Sequence, residues 1–414
     1  MTKYLEDKRA SLVLMLVCFA TYTIVGFTRN AYAAAIAGII EEGYFTKLDA
    51  GTIAASFNIT YCISQIIGSY FVDKISPFKI ILLGVIITII ANIVMSINSS
   101  YWSIFISRAV CGIAQFGIWP SLLRIVAEYT NESYRRRWMY IMPLGITSGS
   151  IISYLAAALV SNWRGMFVLS YVLLGACMIA FVIVVIYSNK MAVEKAPAEK
   201  KVSKQSAKGA ETNSTNLFKL MAASGTLFLI IPTIAKSLIA SGISSWMPTM
   251  IMESYNVSSG ISSTLTAIST CANLAAVFWV AILYPRVLKT QPTAVGMFFL
   301  FSVPLLLVLC FIGKIPLILV VVLITIVNTF KNAIHQFFTV EIPSVYTKYN
   351  KAGMVAGILN AFATFSGIIA SVFYGYMAEN FGWNVTVASW LAFAIVGMLL
   401  SFAATPLWKK FWKN

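Results

Sequence analysis

Residues 11–40, SLVLMLVCFATYTIVGFTRNAYAAAIAGII, are almost wholly apolar or small. At about 1.5 Å of rise per residue, a helix of that length crosses a hydrocarbon core of roughly 30 Å with room for tilt. Eleven comparable runs follow, at approximately 50–72, 79–98, 101–127, 139–161, 164–187, 221–250, 260–284, 292–312, 315–340, 352–378 and 384–405. In lipid, every backbone N–H and C=O must be satisfied within the chain, so an isolated run of this kind folds as a helix. The expected fold class is therefore an all-α membrane protein with twelve transmembrane helices. Composition agrees: 11% of the residues are charged, against about 25% in soluble domains.

The basic residues fix an orientation. With the N-terminus in the cytoplasm, 22 of the 30 lysines and arginines fall in cytoplasmic loops, as the positive-inside rule requires. Twelve crossings return the C-terminus to the same side, so the expectation is a multi-pass protein of the cytoplasmic (inner) membrane with both termini inside. The first run lacks a small-residue cleavage site and is expected to stay as a span. The net charge of +16 is accounted for by these loops, and no stacking platform or basic helix suits a nucleic acid. The one long polar segment, 188–216, is rich in Lys, Ala, Ser and Glu and reads as a flexible cytoplasmic linker. It separates two six-helix bundles, 1–187 and 217–414. Asn162-Trp163-Arg164 opens the sixth run and Gly382-Trp383-Asn384 the twelfth. Small residues precede each, Gly145, Ser148 and Gly149 in one half, Gly353, Gly357 and Gly367 in the other. Such residues let helices approach closely in lipid. The six cysteines lie in apolar stretches without paired spacing, and read as core residues rather than a disulfide or metal framework. No metal or cofactor is expected.

Five cations lie inside runs: Arg29, Arg108, Arg124, Lys236 and Lys331. An intramembrane guanidinium stays charged and must find a partner, water or ligand. Arg29 either snorkels or pairs with a neighbouring helix, or faces a water-filled cavity and binds an anion. Arg124 has Glu128 four residues on, the spacing of a structural pair. Lys331 and His335, also four apart, share one helix face. None of the 14 acidic residues falls near the centre of a run. Buried cations without buried anions are unfavourable unless an anion fills the space between them, so the sequence points to a small anionic partner. Tyr32, Tyr61, Gln65, Trp119, Trp246, Asn328, Asn332 and Gln336 are candidates to hydrogen-bond its uncharged parts.

The segment GSYFVDKISPFK at 68–79 resembles the loop between spans two and three of the major facilitator superfamily. Within that superfamily, RAVCGIAQFGIWPSLLR at 108–124, the basic Arg135 and Arg136, Trp163-Arg164, GISSWMPT at 242–249, Glu341-Ile-Pro and Phe381-Gly382-Trp383 resemble the organophosphate:phosphate antiporters, the glycerol-3-phosphate transporter group among them, and the related organic-anion symporters. The resemblance implies the major facilitator fold, two six-helix halves that rock about a central site lined by spans one, four, seven and ten, and a monomer. It assigns Asp73, Lys74, Arg135 and Arg136 to structural or gating loops. Arg29 matches the first-span arginine that meets the substrate phosphate in that group. The seventh-span arginine falls on Ala240, with Lys236 the nearest cation. A second-span lysine falls on Gln65, and a fifth-span histidine near Ile146.

The expected function is a secondary active transporter of a small organic anion (a sugar phosphate, sugar acid or similar carboxylate) by alternating access. Its anion would relieve repulsion between Arg29 and the pair Lys236 and Lys331. Proton-coupled relatives carry a carboxylate in span four where this chain has Gln115, which does not titrate; this favours anion exchange or charge-driven movement. The alternatives are a proton- or sodium-coupled sugar-acid symporter, with His335 as proton carrier, or a transporter-like membrane sensor. An enzyme is excluded by the lack of an acid/base pair, and an exporter of cations by the lack of acidic residues in the spans.

Overall fold

The computed structural model describes residues 3–72, 74–160, 162–194, 217–272, 290–349 and 351–413. Asp7 opens α1 (Lys8–Glu41), its carboxylate accepting from the backbone N–H of Arg9 and Ala10 at 3.1 and 3.2 Å. These are donors that a first helical turn leaves without partners. Helices α2 (Lys47–Val72) and α3 (Pro77–Ile97) follow. The fourth predicted run is two helices, α4 (Tyr101–Gln115) and α5 (Ile118–Tyr129). Pro120 has no N–H for the Phe116 carbonyl, and its ring crowds that carbonyl, so the helix breaks at Phe116 and Gly117. The fifth run is likewise split into α6 (Glu132–Ile141) and α7 (Leu144–Leu159), with Pro143 at the join. Helix α8 (Trp163–Met191) continues into the segment read as linker. Beyond it, β2 (Val193–Glu194) pairs antiparallel with β1 (Lys3–Tyr4), a two-residue exception to the all-helical expectation. Residues 195–216 of the linker lie outside the described residues.

The second half runs α9 (Leu217–Ala223), a 3₁₀ turn, α10 (Ile230–Tyr255), α11 (Ser259–Ala272), α12 (Gln291–Leu309) and α13 (Leu317–Gln336). A π turn (Phe337–Glu341) leads into α14 (Ile342–Val345), then α15 (Ala352–Asn380) and α16 (Gly382–Lys413). Gly382 takes φ +78°, a left-handed conformation that lets α15 and α16 join with no intervening loop. Among the described residues, nine helical stretches are long and apolar enough to cross a membrane. Of the other three predicted spans, α2 is a 26-residue helix, α7 is a shorter apolar helix, and only the first part of the eighth is described.

The chain divides into two compact units, 1–199 with 258–267, and 200–257 with 268–414. Inside each unit the pairing of helices repeats. In the first, α1 packs on α7 and α8, and α3 on α8; in the second, α10 packs on α15 and α16, and α12 on α16. Span one thus meets five and six as span seven meets eleven and twelve. The close approach expected of small residues is met in the first unit. A Cβ on Gly149 would lie 2.2 Å from the Thr23 carbonyl oxygen and 2.5 Å from the Phe27 nitrogen. The second unit departs from the expectation: among the described residues nothing lies within 4 Å of a Cβ on Gly353 or Gly357, and Gly367 meets only the Ser241 hydroxyl at 3.3 Å. All six cysteines are free; Cys18 and Cys111 are buried as expected, but Cys271 is exposed.

Candidate functional site

In the first unit, three aromatic and amide side chains at intervals of one turn, Phe57, Tyr61 and Gln65, share a face of α2. Arg29 of α1 lies on that face. Its guanidinium carbon is 4.6 Å from the centre of the Tyr61 ring and 5.6 Å from that of Phe57. These rings stack 5.8 Å apart, 10° from parallel. Arg29 Nε donates to Gln115 Oε1 at 3.4 Å, and Gln65 Nε2 donates to the Tyr61 hydroxyl at 3.1 Å. Arg29 is therefore turned into its own bundle, not snorkelling. Two turns before Gln115 on α4, the buried Arg108 stacks on the same Phe57 ring at 4.6 Å and on Tyr32 at 5.0 Å. Two guanidinium groups thus share one phenyl ring. Arg108 Nε and Gln115 Nε2 are buried donors with no hydrogen-bond partner among the described residues. Buried donors left unmatched cost about 1–3 kcal/mol each, which an incoming acceptor would recover.

In the second unit, Lys236 on α10 is buried, and its Nζ lies 3.2 Å from Nδ1 of His335 on α13. Lys331, one turn before His335, lines a small void together with Lys236, Ser302 and apolar side chains including Phe299 and Val327. His335 itself is exposed. Among the described residues no carboxylate forms an ion pair with Arg29, Arg108, Lys236 or Lys331. Two lysines on one void, with an imidazole between helices, form a basic cluster with no ion-pairing carboxylate among the described residues.

The remaining predicted residues divide. Tyr32 is buried under Arg108 and donates its hydroxyl proton to the Ala50 carbonyl at 3.1 Å. Trp119 stacks on Tyr22 at 4.5 Å and packs on the apolar core of the first unit. Trp246 is fully buried against Trp383, 6.2 Å between rings, some three turns along α10 from Lys236. Asn328 is buried with Oδ1 lacking a partner among the described residues, and Asn332 and Gln336 are half-buried on α13. Arg124 pairs with Glu128 as its spacing implies, Nε to both carboxylate oxygens at 3.1 Å, and also reaches the Ile75 carbonyl. Of the loop residues, Arg135 donates to the Thr130 carbonyl at 3.1 Å and Lys74 is exposed. Asp73 and the Arg136 side chain lie outside the described residues. Sequence reasoning passed over Phe57, the ring that carries both arginines; its spacing from Tyr61 and Gln65 was the available signal.

The sequence pattern of the Major Facilitator Superfamily matches residues 18–371. A probable hexose phosphate transport protein of Chlamydia trachomatis is 27% identical over 150 residues, 36% of this chain and 33% of that one. The membrane sensor protein UhpC of Salmonella typhimurium is 26% identical over 171 residues, 40% and 38% of the two chains. A probable chloroplastic anion transporter of Arabidopsis thaliana is 23% identical over 270 residues, 62% and 50%. The chain thus spans a third to a half of the length of these relatives. A solved bacterial homolog of the human lysosomal transporter Spinster, inward-facing and unoccupied, superposes with TM-score 0.78 at 14% identity, over 98% of this chain and 99% of that one.

Proposed function

Because the chain belongs to the major facilitator superfamily, we propose that it is a secondary active transporter of a small organic anion that works by alternating access. It is a multi-pass membrane protein with that superfamily's fold of twelve helices in two halves. The observation that carries the anion reading is the pair of cation clusters, Arg29 and Arg108 in one unit, Lys236 and Lys331 in the other, each turned inward without an ion-pairing carboxylate among the described residues. The anion is a sugar phosphate, sugar acid or similar carboxylate, in line with the names of the relatives, and it moves in exchange for a second anion. The bundles 1–187 and 217–414 are the two halves, joined by 188–216, with both termini cytoplasmic.

Proteoliposomes test this directly. Vesicles loaded with phosphate should take up labelled glucose 6-phosphate or gluconate, fail to take up glucose, and lose uptake when the internal anion is omitted. Uptake of glucose at the same rate as its anionic derivatives would overturn the anion reading. Uptake that needs no internal anion and follows a proton or sodium gradient would replace exchange by symport. The likeness to a membrane sensor supports a second reading, and saturable anion binding with no flux in any direction would select it.

A further inference from the structure

The contact between Lys236 and His335 sets what the second unit can offer a ligand. A lysine ammonium has three N–H donors and no lone pair. As an ammonium 3.2 Å from Nδ1, Lys236 makes that nitrogen the acceptor, and the single proton of the neutral ring is then on Nε2. Because the residue is exposed while Lys236 is buried, the ring edge turned away from Lys236 is the one open to a ligand. Among the described residues, no carboxylate forms an ion pair with the ring. Lys331 is one turn away on the same helix, and Glu341 lies further on, in the π turn. Helix α12 carries no charge; α10 and α15 carry acids only near their C-terminal ends, Glu253 and Glu379, and α16 carries only its terminal lysines. The neighbouring amides of Asn328 and Asn332 can turn either an N–H or a carbonyl to a ligand, so they do not discriminate.

We infer that Lys236 holds His335 in the Nε2–H tautomer, so that the second unit meets its anion with N–H donors and selects the proton-free form of an oxyanion headgroup over a hydrogen phosphate. This rests on the anion reading above and adds which ionisation state is taken. A dianionic phosphate monoester, a sulfate ester or a carboxylate presents only lone pairs to Lys236, Lys331 and Nε2–H. A singly protonated phosphate presents an O–H that meets another donor head-on, and one hydrogen bond is lost.

The chain's single histidine makes the tautomer measurable without assignment. In protein labelled with ¹⁵N-histidine and held in nanodiscs at pH 7.5, one imidazole is observed, and Nε2 should carry the proton with Nδ1 bare. A proton on Nδ1, or on both nitrogens, overturns the inference. Selectivity is read from the affinities of glucose 6-phosphate and glucose 6-sulfate at pH 7 and pH 5. The sulfate ester stays ionised throughout, so it reports any titration of the protein itself. The phosphate, with a second pKa of about 6, loses about tenfold of its dianion over that interval. Relative to the sulfate, its affinity should fall about tenfold, in step with its dianion. In His335→Gln, whose amide presents donor or acceptor, the relative change should shrink several-fold. Equal pH responses of the two esters in the wild type overturn the inference alone. Binding of gluconate with neither ester binding at any pH overturns the inference alone; failure of both esters and of gluconate overturns the anion reading and this inference with it.

Discussion

Replacing Arg29 by glutamine separates a ligand-binding cation from a structural one, because the two make opposite demands on stability. The guanidinium holds a cation–π contact of 4.6 Å with Tyr61 and a 3.4 Å hydrogen bond to Gln115, with no ion-pairing carboxylate among the described residues. Losing a partly buried cation–π contact costs about 0.5–1 kcal/mol, and removing an unpaired charge from the interior returns part of its desolvation cost. The stability of ligand-free Arg29→Gln should therefore lie within about 1 kcal/mol of wild type, the size of the lost cation–π contact. Binding should suffer more, since a charge-assisted hydrogen bond to an anion contributes about 1.5–3 kcal/mol. Affinity for a phosphate or carboxylate ligand should fall roughly 10- to 150-fold at about 1.4 kcal/mol per decade. Arg29→Lys keeps the charge but loses the planar fork and the stacking on Tyr61, and should fall between the two. Denaturation midpoints in detergent, measured without ligand, and equilibrium binding to the same preparations give both quantities. A loss of 3 kcal/mol or more in the ligand-free protein is what an orphaned partner carboxylate would produce. That result, or an affinity within twofold of wild type, would refute the reasoning.

Other expectations follow from packing and pairing. Gly149→Ala should lower stability by about 1–3 kcal/mol, since its Cβ meets backbone atoms of α1 that can yield only if the helices part. Gly357→Ala, with nothing within 4 Å, should raise it by about 0.5–1 kcal/mol through the helix preference of alanine, and the sign difference is readable from thermal midpoints. Glu128→Gln should cost no more than about 0.3–0.5 kcal/mol, the value of an i,i+4 pair, and less in high salt. In detergent, N-ethylmaleimide should label the exposed Cys271 first and reach the buried Cys18 and Cys111 only on unfolding, as mass spectrometry of peptides would show.

Much of this protein is legible along the chain because lipid leaves the backbone so few options. Run length indicated the class of the fold and its spans, though not the breaks near Pro120 and Pro143, and spacings of four placed Arg124 beside Glu128 and Lys331 on the same face as His335. The excess of intramembrane cations over anions is likewise a fact of composition and position. The sequence could not supply partners distant along the chain. Lys236 meets His335 across 99 residues and Arg29 meets Gln115 across 86, and no periodicity within one helix predicts the rotation of another against it. Packing also decided that Phe57, an apolar residue between Ser56 and Asn58, supports two guanidinium groups. Only packing showed that Trp119 lies against Tyr22 and Trp246 against Trp383. Local pattern determines which surface of a helix is apolar or charged; only close packing of one helix on the next determines which side chains remain to meet something else.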